Sequence, residues 1–177
     1  SRLLTSEAAP SVVNASSPEK ENQEEIQFVF ASCRPWDREF FNREVGSKTS
    51  GWMFVADDHE LESFLDQATP TTIAFFNWPW IVEKRIWSNI RCIVVHMTNL
   101  PFGRGGSPLQ NLILSGYKET MVTVFQMDQG VDTGPIYAKK KVLLDGSAEE
   151  IYKRVTTIGW ELVVSIIEKN SEPEPQK

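Results

Sequence analysis

The sequence predicts an α/β domain: a mostly parallel, twisted sheet of about six strands, helices on both faces, and a long C-terminal helix. Three observations carry this reading. From Ile26 onward, short apolar runs of strand length alternate with stretches of helical period. The run CIVVH is apolar until its final histidine, as a strand covered on both faces requires. The chain's 177 residues, 41% of them hydrophobic, supply one sizeable core and not two.

Residues 1–24 (SRLLTSEAAPSVVNASSPEKENQE) are rich in Ser, Ala, Pro and Glu without lasting periodicity, and read as a flexible N-terminal arm. IQFVFAS is the first strand, and RPWDREFFNREVG a short helix closing at Gly46. GWMFVAD is the second strand. HELESFLDQ follows as an amphipathic helix, with Asp57 or Asp58 at its N-cap. TTIAFFN is the third strand, IVEKRIWSN a third helical stretch, and CIVVH the fourth strand, ending at His96. Pro108 opens the next helix, where its missing N–H costs nothing, and Gly116 closes it. ETMVTVFQM and GPIYAKKKVLL are two further strands joined by the DQGVDT loop. Ser147 and Glu150 form a capping box for the final helix, which runs to Asn170. The polar tail 171–177 (SEPEPQK) is expected to fray. The main domain therefore spans residues 25–170.

Charge and composition narrow the partners. With 18 basic and 24 acidic side chains the net charge is −6, which disfavours a broad nucleic-acid face, because phosphates demand clustered Lys and Arg. No apolar run approaches the roughly 18 residues of a membrane span, and the N-terminus lacks the apolar core of a signal peptide. Cys33 and Cys92 fall in or beside buried strands and are expected as free thiols. That suits a reducing, cytoplasmic setting. No CxxC or paired-His spacing predicts a metal site.

Sheets of this kind place sites beyond the carboxyl ends of their strands, which is where His96 stands. After it comes LPFGRGGSP, too rich in Gly and Pro for regular structure and therefore a shaped loop with exposed backbone N–H groups. Asp132 returns a carboxylate after the next strand. A neutral imidazole can hydrogen-bond a carbonyl oxygen or carry a proton, and a nearby carboxylate can orient it and accept that proton. Together they suit transfer of an acyl group onto an amine.

His96, the LPFGRGGSP loop and the Asp132–Gly134 turn resemble the core of the folate-dependent formyltransferase family, over roughly Ile26–Asn170. The resemblance implies a Rossmann-like fold and transfer of a formyl group from 10-formyltetrahydrofolate to a primary amine, without a metal. It implies that His96 and Asp132 are catalytic, within about 3 Å of each other or bridged by one water. It places the folate slot at Trp80, Ile81 and Val82, and at Asp128, Gln129, Gly130 and Val131. Arg104 and Gly105 fall beside the transfer centre, Arg104 facing an acidic group of folate or acceptor. The family's catalytic asparagine, two residues before the histidine, is Val94 here, so one oxyanion donor is missing. Asn99, in the loop, and Asn77, ending the third strand, are the candidates to replace it. A folate-binding module without the chemistry is the alternative that Val94 favours.

Among acceptors, the methionyl-tRNA enzymes carry a further C-terminal domain, whereas this acidic chain ends soon after its last helix. The glycinamide ribonucleotide enzymes hold phosphate on a Gly-rich loop after the first strand, where this chain reads ASCRPWDREFF. The expectation is a nucleotide-linked amino sugar, with Arg34 and Asn77 in the acceptor site, Arg34 meeting a phosphate and Trp36 a base. A homodimer is left open.

Overall fold

The computed structural model describes residues 25–106 and 108–177, so the N-terminal arm lies outside the described residues. The elements run β1 (Phe28–Ala31), α1 (Pro35–Phe41), β2 (Trp52–Val55), α2 (Asp58–Leu65), β3 (Thr72–Phe76), α3 (Lys84–Trp87), β4 (Arg91–His96), α4 (Pro108–Leu114), β5 (Glu119–Gln126), β6 (Ile136–Leu143) and α5 (Ala148–Lys169). One sheet holds all six strands in the order β2-β1-β3-β4-β5-β6. β2, β1, β3 and β4 are mutually parallel, and β5 and β6 complete the sheet antiparallel to their neighbours. The predicted Rossmann-like, mostly parallel architecture is the one observed.

Side chains alternate across each strand and so feed two cores. Phe30, Ala74, Phe76, Ile93 and Val95 pack with α1 and α5 on one face. Val29, Ala31, Ile73, Phe75 and Cys92 pack with Leu61 of α2 and Ile86 of α3 on the other. The first face centres on Phe30 and Phe76, stacked with centroids 4.1 Å apart. Such a pair contributes roughly 0.5–1.5 kcal/mol beyond its burial.

The caps form where the sequence puts them. Asp57 accepts from the Glu60 N–H, and Ser147 Oγ accepts from the Glu150 N–H while donating to the Glu150 carboxylate. The first helix continues past Phe41 as a π-helical turn, Asn42–Gly46, ending at the predicted glycine. The third helical stretch shortens to one turn, because Ile81 and Val82 leave the helix to line a cleft.

The tail departs from expectation. Asn170, at φ 47°, ends α5 in the left-handed conformation and turns the chain back. The Ile136 N–H then donates to the Glu174 carbonyl at 2.7 Å, and the Glu174 N–H donates to the Ile136 carbonyl at 2.8 Å. Residues 171–177 are thus docked against β6 rather than frayed. A contact made by backbone groups between prolines leaves no periodic signal to read.

Candidate active site

Phe75 on β3 and Val94 on β4 stand side by side in parallel register and point to the same face of the sheet. They floor a cleft of about 270 Å³ whose walls are the segment after β3 and the loop between β5 and β6. One wall is Trp78, Trp80, Ile81 and Val82; the other is Asp128, Gln129, Gly130, Val131 and Asp132. Trp78 and Trp80 meet edge to face at 4.8 Å. Ile81 and Val131, 95% and 70% exposed, are apolar rims of the cleft. All seven residues expected in a folate slot therefore converge. The slot is apolar and aromatic, with backbone groups for polar readout, the usual make-up of a small-molecule site.

Asp128 shapes its own loop: its carboxylate accepts from the Gly130 N–H at 3.0 Å and the Thr133 hydroxyl at 2.6 Å. Gly134 lets the loop pass close to β5, since a Cβ there would lie 1.6 Å from the Gln126 carbonyl oxygen. Between them Asp132 adopts φ 53°, an unusual conformation for a residue with a side chain, though Asp tolerates it better than most. Its carboxylate reaches the opposite loop and accepts from the Gly105 N–H at 2.8 Å.

The histidine loop is fastened to the sheet. Thr120 and Thr123 of β5 donate to the Met97 and Thr98 carbonyls, and Lys139 of β6 donates to the Leu100 carbonyl. Gly103, at φ 70°, brings its carbonyl to within 2.9 Å of His96 Nε2. A carbonyl only accepts, so Nε2 carries the hydrogen and the neutral ring presents a bare lone pair at Nδ1. That Nδ1 lies 3.8 Å from Asp132 Oδ2, with the two side chains only 11% and 16% exposed. The separation is longer than the direct contact of about 3 Å that was one of the two expected geometries, and it falls within ion-pair range once the ring is protonated. On this face the neutral imidazole offers a proton acceptor, which suits the second of the two roles expected of it, carrying a proton.

Asn77 stands one residue beyond the Phe76–Val95 register pair, level with His96 on the neighbouring strand. It lines the cleft, with φ 50°. Its Nδ2 donates to Asp37 Oδ2 at 3.0 Å. Asp37 is fully buried and also accepts from the hydroxyls of Ser32 and Thr156, at 2.5 and 2.6 Å. This carboxylate ties α1, β1, β3 and α5 together and sets the Asn77 carboxamide. Only one of that carboxamide's two hydrogens is used on Asp37.

Three expected site residues lie elsewhere. Asn99 is exposed, and its Oδ1 accepts from Lys139 at 2.6 Å outside the cleft, so it does not replace the missing carboxamide. Arg104 donates to Gln176 at 2.7 Å instead of facing the cleft. Arg34 lies over the Trp36 ring at 5.5 Å and the Tyr152 ring at 6.0 Å, beyond β1 and outside the slot. Sequence reading missed Asp37, Thr98, Gly103 and Gln176. Among the described residues no cluster suited to a metal ion occurs, and no helix is long and apolar enough to cross a membrane.

Comparison with known proteins gives this site a family. The formyl transferase family model matches residues 44–167, and the chain belongs to that family. It is 40% identical over 91 residues to the methionyl-tRNA formyltransferase of Halorhodospira halophila, covering 48% of this chain and 29% of that protein. The chain thus spans well under two thirds of that relative. The solved methionyl-tRNA formyltransferase from Clostridium thermocellum superposes with a TM-score of 0.76 at 35% identity, over 85% of this chain and 68% of that one. The formyltransferase PseJ from Anoxybacillus kamchatkensis, solved with a UDP-linked formamido sugar and tetrahydrofolate, shares the fold. Its TM-score is 0.64 at 21% identity, over 85% of this chain and 82% of that one. Sequence likeness runs more strongly to these methionyl-tRNA enzymes than to this amino-sugar enzyme, against the expectation from the loop motif.

Proposed function

We propose that residues 25–170 form a catalytic domain that transfers a formyl group from 10-formyltetrahydrofolate to a primary amine. The observation that carries this is the juxtaposition of the His96–Asp132 pair with the apolar slot. When bound there, the folate supplies an activated formyl carbon. Trp80, Ile81 and Val82 cover one side of its ring, and Val131 the other. Backbone groups of 128–131 meet its polar edge.

His96 Nδ1 takes the proton that the acceptor nitrogen loses as it bonds to the formyl carbon. Asp132 lies close enough to stabilise the resulting imidazolium and to receive the proton in turn, and the pair returns a proton to the folate nitrogen as the bond from that nitrogen to the formyl carbon breaks. Gly105 N–H, bonded to the carboxylate, holds that charge in place. Val94 offers no hydrogen to the developing oxyanion, and the neutral imidazole has given its own to Gly103. Asn77, level with His96, supplies the donor through its second amide hydrogen. This role for Asn77 separates an active transferase from an inert folate-binding module.

For the acceptor we favour a nucleotide-linked amino sugar. Arg34, on the Trp36 and Tyr152 rings beyond β1, offers charge and a stacking surface outside the slot. A reducing cytoplasm suits the two free thiols. A second reading, an aminoacyl-tRNA amine, is favoured by the identity to methionyl-tRNA formyltransferases. Incubation with 10-formyltetrahydrofolate and a panel of nucleotide amino sugars and methionyl-tRNA, followed by mass spectrometry, decides. A product 28 mass units heavier, formed with the sugars alone, supports the first reading, and with the tRNA alone the second. No formylated product with any amine overturns the transferase assignment.

A further inference from the structure

The docked tail ends in a clasp on the site. Gln176 Nε2 donates to the Asp132 carbonyl and to the Gly134 carbonyl, both at 2.8 Å. Its Oε1 accepts from Arg104 Nη2 at 2.7 Å. The orientation of this carboxamide is settled by its partners, because carbonyls only accept and a guanidinium only donates. One side chain therefore grips both loops that build the catalytic pair. The neighbouring residue closes the ring: Gly105 N–H donates to the Asp132 carboxylate. Asp132 is held at its carboxylate by Gly105, and at its carbonyl by Gln176, which Arg104 braces in turn.

Such restraint has a purpose here. Asp132 sits at φ 53°, a conformation that its own preferences do not maintain. Its distance to His96, 3.8 Å, depends on that turn and on the 103–106 loop moving as one body. We propose that Gln176 is a positioning residue: by docking through Glu174 onto Ile136, the 171–177 segment locks the Asp132 turn to the Arg104–Gly105 loop and so fixes the His96–Asp132 geometry. The inference builds on the proposed catalytic roles of that pair. The clasp itself is measurable without catalysis.

Amide hydrogen exchange, followed by NMR on the full chain, reads it directly. The Gly105 and Gly130 amides, each bonded to a carboxylate of the clasped region, are the reporters. In Gln176→Ala both exchange about tenfold faster or more, while β4 and β5 amides keep their rates. Gln176→Glu keeps an acceptor for Arg104 but sets a carboxylate against two carbonyls, and loosens the Gly130 amide to a similar degree. In formyl-transfer assays, Gln176→Ala lowers kcat about tenfold and leaves KM for the folate within about twofold. Unchanged exchange at Gly105 and Gly130 in both variants, or faster exchange confined to 171–177, overturns the proposal. Absence of formyl transfer by the wild-type chain would instead overturn the catalytic reading and leave the exchange result standing by itself.

Discussion

Replacing Asp132 by Asn removes a charge and almost nothing else. The carboxamide oxygen can still accept from the Gly105 N–H, 2.8 Å away in the wild type, so the turn and the 103–106 loop keep their tie. What disappears is the negative charge 3.8 Å from His96 Nδ1. At an effective dielectric near 20, a unit charge at that distance stabilises an imidazolium by about 4 kcal/mol. The pair retains some solvent contact, with side chains 11% and 16% exposed, which reduces the effect to about 3 kcal/mol. The rate of formyl transfer should then fall at least about 100-fold. The assay is single-turnover formation of the formylated amine at saturating enzyme, with folate binding measured separately by fluorescence. Folate affinity should change by less than about threefold, because the Asp132 side chain faces His96 and Gly105 and the rest of the cleft lining is unchanged. A near-wild-type rate would refute the proton-acceptor role of the pair.

Three other outcomes follow from particular contacts. Asn77→Gly keeps the positive φ without strain but deletes the carboxamide level with His96, and should lower kcat by about 100-fold or more in the same assay. Asp37→Ala leaves the Ser32 and Thr156 hydroxyls and the Asn77 amide without their common acceptor in a buried site. Urea unfolding should show a loss of roughly 3–5 kcal/mol. Burial pushes the Cys92 thiol up to about 12, so iodoacetamide at pH 8 should spare Cys92 in the native protein and label it only after denaturation, read by peptide mass mapping.

The scaffold was largely legible because its signals are local. The run before His96 announced β4, the Ser147–Glu150 pair marked where α5 starts, and the Asp57–Asp58 pair marked α2, with Asp57 the residue that caps it. Both walls of the slot were placed through the resemblance that the His96 loop and the Asp132 turn carry. What escaped depends on partners distant in the chain. Asp37 reads as a helix-surface acid in PWDREFF, and only the fold brings Thr156 and Asn77 to it. Asn99 looked well placed three residues after the histidine, yet the loop turns it outward to Lys139. The third helix is one turn long, and the first residues of the expected stretch, Ile81 and Val82, form slot wall because the cleft and not a helical period positions them. Gln176 stood in a segment without hydrophobic pattern, where polar side chains gripping backbone carbonyls give no sequence signature.

A crystal structure of the chain with 5-formyltetrahydrofolate, a stable relative of the donor, bears most directly on the account. The pteridine should lie between Trp80–Val82 and Gly130–Val131, with the formyl-bearing end toward His96 Nδ1 and the Asn77 carboxamide. A ligand bound at another surface, or seated in the cleft with its formyl end turned away from His96 and Asp132, would contradict it.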